Sequence, residues 1–128
     1  MTETLPLITG VDFAMLPITD YERAKAFYGE TLGLPISVEY GRVPGAEYET
    51  GNLTLVVFDF SAVGQTAMRP NGGPVALRVD DVAAAKADLE GRGVEFVGDI
   101  IDSGVCHQAI FHDPDGNTLI LHHRYAPK

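Results

Sequence analysis

The chain lacks the features that mark several common classes of protein. Its only cysteine is Cys106, so it has no internal disulfide and no cysteine-based zinc cluster. Nine Lys and Arg residues against 18 Asp and Glu leave a net charge of −9, which is unfavourable for binding nucleic acid or an anionic membrane. The chain has no apolar run of membrane-spanning length, and residues 1–10 lack the basic flank and apolar centre of an export signal. We therefore expect a cytoplasmic protein that binds neither nucleic acid nor membrane.

What the chain does have is enough apolar sequence for one buried core. Hydrophobic residues make up 45% of the 128 positions, which is ordinary for a single domain of this length. The clearest local signal is the turn Asp113-Pro114-Asp115-Gly116-Asn117, which lies between two short apolar runs. Asp113 suits the first turn position, and Gly116 suits the position that requires a positive φ. The turn predicts a hairpin, and the hairpin determines which side chains of its two strands face inward.

The first half of the chain predicts one strand, one helix and three more strands. Apolar residues at 11–18 predict a strand, and Thr19 stands three residues before Glu22, the spacing of a helix capping box. The helix buries one face and ends at Gly29 or Gly33. Three strands follow at residues 36–40, 46–50 and 53–58, separated by glycine-rich turns.

The second half repeats this order after a connection at residues 61–73 that is rich in Gly, Pro, Asn and Ser. A strand near Val75 is followed by a helix capped by Asp80 or Asp81, and then by strands at 94–101, 106–112 and 118–123. Helix residues of the halves match at an offset of 61 (85 − 24), and Gly51-Asn52 matches Gly116-Asn117 at an offset of 65 (116 − 51). We predict a single α+β domain over residues 1–128, built from two βαβββ modules at 11–60 and 74–124.

Taken together, these modules and motifs resemble the vicinal oxygen chelate superfamily, which includes glyoxalases, bleomycin-resistance proteins, fosfomycin-resistance enzymes and extradiol dioxygenases. The resemblance extends from about residue 11 to residue 123. It depends on the joint order of Leu16-Pro17-Ile18, Phe27-Tyr28, Leu32-Gly33-Leu34, Val79-Asp80-Asp81 and the Asp113–Asn117 turn. It implies curled mixed sheets that form a cup, often completed by a second module or subunit, and hence a homodimer.

The same resemblance implies where a metal would be held. Metal enzymes of the superfamily take ligands from the first and last strand of each module, and the matching positions here are Phe13, Pro74 (13 + 61), Ile120 and Leu55 (120 − 65). None of these side chains offers a donor to a divalent metal. We therefore expect no cofactor and no metal at the usual positions. The bleomycin-resistance proteins, which bind a ligand without catalysis, are the precedent for this state.

Strand alternation then predicts the walls of a cup that holds a small molecule, since residues two apart share a face. The predicted lining is mostly apolar with a few polar groups, and it consists of Phe13, Met15, Leu55, Val57, Ala76, Arg78, Gln108, Ile110, Ile120 and His122. A filled core at these positions is the alternative. Arg78, Gln108 and His122 favour the cup, because such groups require solvent or a ligand.

Several reactive side chains leave the chemistry open. His122 is the candidate general base or acid, oriented by Arg124 or Asp102, and a relocated metal site from His122, His112 and Cys106 is a weaker alternative. Cys106 is expected to be a buried, inert thiol. The acidic run Glu39, Glu47 and Glu49 either faces a basic ligand or lies on an exposed sheet face or dimer rim.

Three functions follow from these residues. The first is a metal-free, dimeric binding protein for a small apolar or aromatic molecule such as an antibiotic or a metabolite. The second is a divergent enzyme of lyase, isomerase or dioxygenase type that acts on a small oxygenated metabolite with a relocated metal or with acid–base groups alone. The third is an interaction module whose cup is filled.

Overall fold

The structure is a computed structural model that describes residues 6–64, 70 and 74–127. The first module contains β1 (Phe13–Pro17), α1 (Tyr21–Lys25), a π-helical continuation of α1 (Ala26–Thr31), β2 (Ile36–Glu39), β3 (Gly45–Glu49) and β4 (Thr54–Phe58). A short 3₁₀ turn follows (Phe60–Val63), and most of the predicted connection at 61–73 lies outside the described residues. The second module contains β5 (Val75–Arg78), α2 (Val82–Gly91), β6 (Phe96–Asp102), β7 (Cys106–His112) and β8 (Thr118–Arg124).

The two modules have the same topology. Each forms a four-stranded mixed sheet, in the order β1-β4-β3-β2 and β5-β8-β7-β6. In each sheet the first strand pairs in parallel with the last, and the other pairings are antiparallel. The predicted α+β fold with two βαβββ modules is confirmed.

Both helices begin at an aspartate. The side chain of Asp81 accepts a hydrogen bond from the backbone N–H of Ala84 and caps α2, one of the two residues predicted for this role. In α1 the cap is Asp20, which accepts from the N–H of Arg23, so the capping box predicted for Thr19 and Glu22 is wrong. Thr19 instead donates its backbone N–H and its hydroxyl to Asp115 in the other module.

One continuous core joins the two modules. It is formed by the faces of the two sheets that carry the helices, together with the buried side of the helices themselves, and it includes Leu16, Tyr28, Leu55 and Val57 with Phe111, Leu119 and Leu121. Phe27 of α1 contacts Phe111 of β7 at a ring separation of 6.4 Å. Each sheet therefore has one face in the shared core and one face away from it, which we call the open face.

The Asp113–Asn117 turn holds the modules together by buried hydrogen bonds. Asp113 accepts from the Tyr28 hydroxyl at 2.7 Å, from the Asn117 amide at 2.8 Å and from the backbone N–H groups of Asp115 and Asn117 at 2.9 Å. The Asn117 amide also donates to the carbonyl of Pro17 at 2.8 Å. Gly116 has a φ of 89°, as the predicted hairpin requires. Because Tyr28 and Pro17 belong to the first module, this turn determines how the two halves meet.

One predicted grouping of strand residues is wrong. Leu55 and Val57 are fully buried and lie opposite Ala14 and Leu16, so they occupy the core face, whereas Phe13 and Met15 lie on the open face. The cause is one extra residue, because β4 begins three positions after Gly51 and β8 begins two positions after Gly116. A shift of one residue moves every side chain of a strand to the other face. The structural offset between the last strands is therefore 64 (118 − 54), and Val56 corresponds to Ile120.

Candidate functional site

The open face of the first module is apolar and aromatic, and the carboxylates of Glu47 and Glu49 on β3 lie next to these side chains. Phe13 is 52% exposed and Met15 is 39% exposed, and the register places them beside Thr54 and Val56 of β4. Phe58 follows on the same face, where its ring contacts those of Phe60 at 4.8 Å and Tyr40 at 6.1 Å. These rings provide a flat surface against which an aromatic molecule can stack.

The aromatic cluster depends on a glycine. Gly45 lies opposite Phe58 on β3, and a Cβ atom there would come within 2.8 Å of the Phe58 ring and 2.9 Å of the Tyr40 ring. Such separations are far shorter than a normal van der Waals contact. The small residue at 45 therefore lets both rings lie over the strand.

The carboxylates of the acidic run are all engaged within the module. Glu49 accepts hydrogen bonds from Ser37 and Thr54, and these bonds hold its pKa below the usual value. Glu47 accepts from the Tyr40 hydroxyl at 2.6 Å, and burial together with this bond raises the pKa of Tyr40 to about 12. Glu39 points to the side of the sheet opposite the open face. There it accepts a hydrogen bond from the Tyr21 hydroxyl and forms an ion pair with Lys25 at 2.9 Å.

The open face of the second module consists of alternating rows that run straight across the strands. Ala76, Ile120, Ile110 and Val97 are register partners on β5, β8, β7 and β6 and form an apolar row. Two residues further along, Arg78, His122 and Gln108 form a polar row. The predicted cup residues of this module therefore lie together on one face. Whether they bind a ligand remains a prediction.

The histidines occupy separate environments. His123 and His107 lie on the core side of the sheet, His123 beside the Val79 carbonyl at 3.2 Å and His107 at 3.4 Å from Asp102. His112 and His122 lie on the open face. In the described residues His122 has no hydrogen-bond partner, and the residues predicted to orient it are engaged elsewhere: Asp102 with Tyr125 and Arg124 with the Pro127 carbonyl.

Cys106 is buried, as expected, but polar groups surround its thiol. Hydrogen bonds from Ser103 and Gln108, with the charge of Arg124, lower the pKa of this thiol. The amide nitrogen of Gln108 lies 3.5 Å from Sγ. The sequence interpretation missed Ser103, which reaches Cys106 only through the turn between β6 and β7.

A cavity of about 470 Å³ lies between the modules on the side of the helices. Three predicted site residues border it, namely Leu55, Ala76 and Arg78; the last two reach it because β5 is an edge strand of its sheet. Leu32, Leu34 and Leu53 also border it, and the sequence interpretation assigned them no place in the site. In the sequence, Leu32 and Leu34 are recognisable only as apolar residues at the end of the first helix. A second cavity of about 460 Å³ lies beside Phe27, Phe96 and the Asp113–Asn117 turn.

The positions that would hold a metal do not offer the donors. Phe13, Val56, Pro74 and Ile120 have hydrocarbon side chains, and Val56 replaces Leu55 once the register is corrected. In the part of the chain that the structure describes, no group of three His, Cys, Asp or Glu side chains is arranged to hold a metal ion. These residues do not fit the metal centre of the superfamily's enzymes.

No helix in the described ranges is long and apolar enough to cross a membrane.

The fold and sequence match known proteins over most of the chain. The chain is 30% identical to a glyoxylase-like domain-containing protein of Didymella fabae over 116 residues, which covers 87% of this chain and 88% of that protein. TnmS3, an antibiotic binding protein from Streptomyces sp. CB03234, is 31% identical with a TM-score of 0.77 and covers 94% of this chain and 99% of its own.

A more distant structure shares the fold. Lactoylglutathione lyase from Agrobacterium tumefaciens is 17% identical with a TM-score of 0.76, over 91% of this chain and 95% of its own. The family model for the Glyoxalase/Bleomycin resistance protein/Dioxygenase superfamily matches residues 10–121. The two βαβββ modules, their shared core and these matches agree, and the chain belongs to that superfamily.

Proposed function

We propose that the protein binds a small, largely apolar and aromatic molecule on the open sheet faces, without a metal centre of the superfamily's usual kind. The observation that carries this proposal is the chemistry of the open faces. The positions at which metal enzymes of the superfamily place ligands hold Phe13, Val56, Pro74 and Ile120. Around them are the Phe58 ring cluster and an apolar row, which suit van der Waals and stacking contacts.

Two further observations support this proposal. The Streptomyces relative that binds an antibiotic is 31% identical over nearly the whole chain. In addition, apolar side chains are exposed in numbers unusual for a face that meets only water, among them Val97 at 54% and Ile101 at 46% on the second sheet. A second copy of the chain that covers these faces would turn two open sheets into a closed cup, so the proposal includes a homodimer.

The test measures metal and ligand separately. Protein purified without an affinity tag is dialysed against Zn²⁺, Mn²⁺, Ni²⁺ and Fe²⁺, and its metal content is read by plasma mass spectrometry. We expect well under one ion per chain, and stabilisation by aromatic compounds in a thermal-shift screen. Phe13→Ala should weaken that stabilisation, and Ile8→Ala, outside both sheets, should leave it unchanged. Stoichiometric metal with metal-dependent turnover would refute the proposal.

One observation favours an enzyme as the second candidate. His122 lies between Arg78 and Gln108 on the open face and has no hydrogen-bond partner in the described residues, so its imidazole is free to exchange a proton with a bound molecule. If the protein turns over a small oxygenated metabolite, His122→Ala should remove that activity. Full activity in His122→Ala would eliminate this candidate.

A further inference from the structure

The polar row of the second module has unused hydrogen-bond donors. Arg78, His122 and Gln108 are direct register partners on the adjacent strands β5, β8 and β7, so their side chains stand side by side on the open face. Within the described residues, neither Arg78 nor His122 has a hydrogen bond or ion pair. Gln108 donates one amide N–H to the sulfur of Cys106 at 3.5 Å, and its second N–H has no partner among the described residues.

Among the described residues no Asp or Glu forms an ion pair with Arg78, and Asp99 lies in the irregular stretch of β6 between Val97 and Ile101. The paired strand residues that the register places on the open face of the second module include no Asp or Glu. Elsewhere in the described chain the arginines that border the modules are engaged: Arg23 with Asp115 at 2.9 Å and Arg92 with Asp88 at 3.1 Å. Arg78 is exposed and has no such carboxylate partner within the described ranges, so its guanidinium is available to a ligand on the open face.

The apolar row runs parallel to the polar one. Ile120 and Ile110 lie two residues from His122 and Gln108 along their strands, a separation of roughly 7 Å. This is close to the distance between the centre of one ring of a fused aromatic molecule and an acidic substituent on the next ring. A flat molecule can therefore lie on the isoleucines while an anionic oxygen reaches the donors.

From this arrangement we infer that the ligand carries an anionic oxygen group, such as a carboxylate, sulfonate or phenolate, which Arg78, His122 and Gln108 bind at the end of an apolar ring system. The inference rests on the proposed function and specifies the class of ligand. The planar guanidinium of Arg78 can donate two N–H groups to one such group, and His122 and Gln108 each supply one more donor. No metal is needed to neutralise the anion, because the arginine supplies the positive charge.

The test uses two fluorescent probes that differ by one sulfonate group: anilinonaphthalenesulfonate, which is an anion, and phenylnaphthylamine, which lacks the sulfonate and is neutral. Affinities are measured for the wild type, Arg78→Gln, Arg78→Lys and the control Lys86→Gln. Lys86 lies on α2, on the core side of the same sheet, so the control removes one positive charge from the other side. Circular dichroism checks that each variant is folded.

We expect Arg78→Gln to weaken binding of the sulfonate probe by about tenfold or more, as for loss of a charge-assisted hydrogen bond. Binding of the neutral probe should stay within about twofold in every variant, and Arg78→Lys should fall between wild type and Arg78→Gln. Equal loss for both probes, or no loss for the sulfonate, would overturn the inference while leaving the proposed function supported by the neutral probe. If neither probe binds saturably, both the inference and the proposed function fail.

Discussion

The polar row of the second module has an aromatic and apolar counterpart at the equivalent positions of the first module. With the structural offsets, Arg78 corresponds to Pro17 (78 − 61) and His122 corresponds to Phe58 (122 − 64), and Gln108 and Gly45 are their partners on the third strand. The first module fills this row with an aromatic ring that a glycine accommodates, and the second fills it with hydrogen-bond donors. The repeat thus preserves the backbone and gives the two sheets different surface chemistry, aromatic in the first module and polar with a positive charge in the second.

The hairpins before the last strands differ in a similar way. Gly51-Asn52 and Gly116-Asn117 correspond in sequence, but Asn52 is exposed and bonds only to Thr50 in its own turn, whereas Asn117 is completely buried. Among the described residues, the second hairpin forms hydrogen bonds to the other module and the first hairpin forms none. The two turns look alike in sequence because both need a glycine with positive φ, and they differ in what surrounds them.

The largest expected effect separates these two asparagines. Asn117→Ala removes the donors to the Pro17 carbonyl and the Asp113 carboxyl and leaves both acceptors buried without them, so we expect a loss of about 3 kcal/mol in the free energy of unfolding. Asn52→Ala should cost under about 0.5 kcal/mol, as is usual at an exposed site. Urea unfolding measures both, and equal losses would contradict the assignment of the intermodule role to the second hairpin.

A substitution at Gly45 of β3 tests whether the aromatic side chains of the first module depend on a small residue opposite Phe58. Gly45→Ala places a methyl group 2.8 Å from the Phe58 ring and 2.9 Å from the Val57 carbonyl, so we expect a loss of about 2 kcal/mol. Its counterpart Gln108→Ala removes only a weak contact to Cys106 and should cost under about 0.5 kcal/mol. Thermal unfolding provides the comparison. A neutral Gly45→Ala would show that the aromatic rings do not need this glycine.

A smaller effect is expected at the helices. Tyr28 corresponds to Leu89 of α2 (28 + 61), and of the two only Tyr28 has a hydroxyl, which donates to Asp113. Tyr28→Phe removes that bond with little change in shape, so we expect a loss of about 1.5 kcal/mol. Tyr40→Phe is the control at a partly buried tyrosine that bonds within one module, and it should cost less. Equal losses would mean that the Tyr28 bond adds nothing specific to the contact between modules.

The smallest effect concerns pH. Each module has a surface carboxyl bound by a tyrosine: hydrogen bonds from Tyr21 and Lys25 lower the pKa of Glu39, and those from Tyr125 and the Gly104 N–H lower the pKa of Asp102. Because these pKa values are lower in the folded chain, their stabilisation is present above the unfolded values of 4.5 and 3.8 and is lost as the pH falls through the folded ones. In an NMR titration, Tyr21→Phe should raise the pKa of Glu39 and leave that of Asp102 unchanged. If Tyr21→Phe shifted the pKa values of both Glu39 and Asp102, the two carboxyls would not titrate independently, contrary to this prediction.

The features that could be predicted from the sequence are those determined locally. The β7–β8 hairpin, the cap at Asp81 and the order of elements depend on residues a few positions apart, and the structure agrees with each of them. The face occupied by Leu55 and Val57 could not be deduced in this way. It depends on whether Leu53 belongs to the turn or to the strand, and strand pairing decides that question across the sheet.

The other incorrect or missing predictions, at the first helix cap and around the candidate site, have a similar origin. Thr19 looked like a helix cap because its best local partner was Glu22, but Asp115, which is 96 residues away, binds it instead. The cavity between the modules and the contact between Ser103 and Cys106 also arise from packing and turns that bring distant or irregular segments together. The composition of the open face of the second module, by contrast, can be predicted by assigning residues two apart to one face, and the register agrees with it.

The shared core has a consequence for how the repeat can vary. Each module covers the apolar surface of the other, and residues such as Phe111 and Tyr28 would meet water if either half stood alone. Because both halves belong to one chain, the association that buries this surface is intramolecular. The two halves can therefore carry different side chains at the same position while each continues to cover the other.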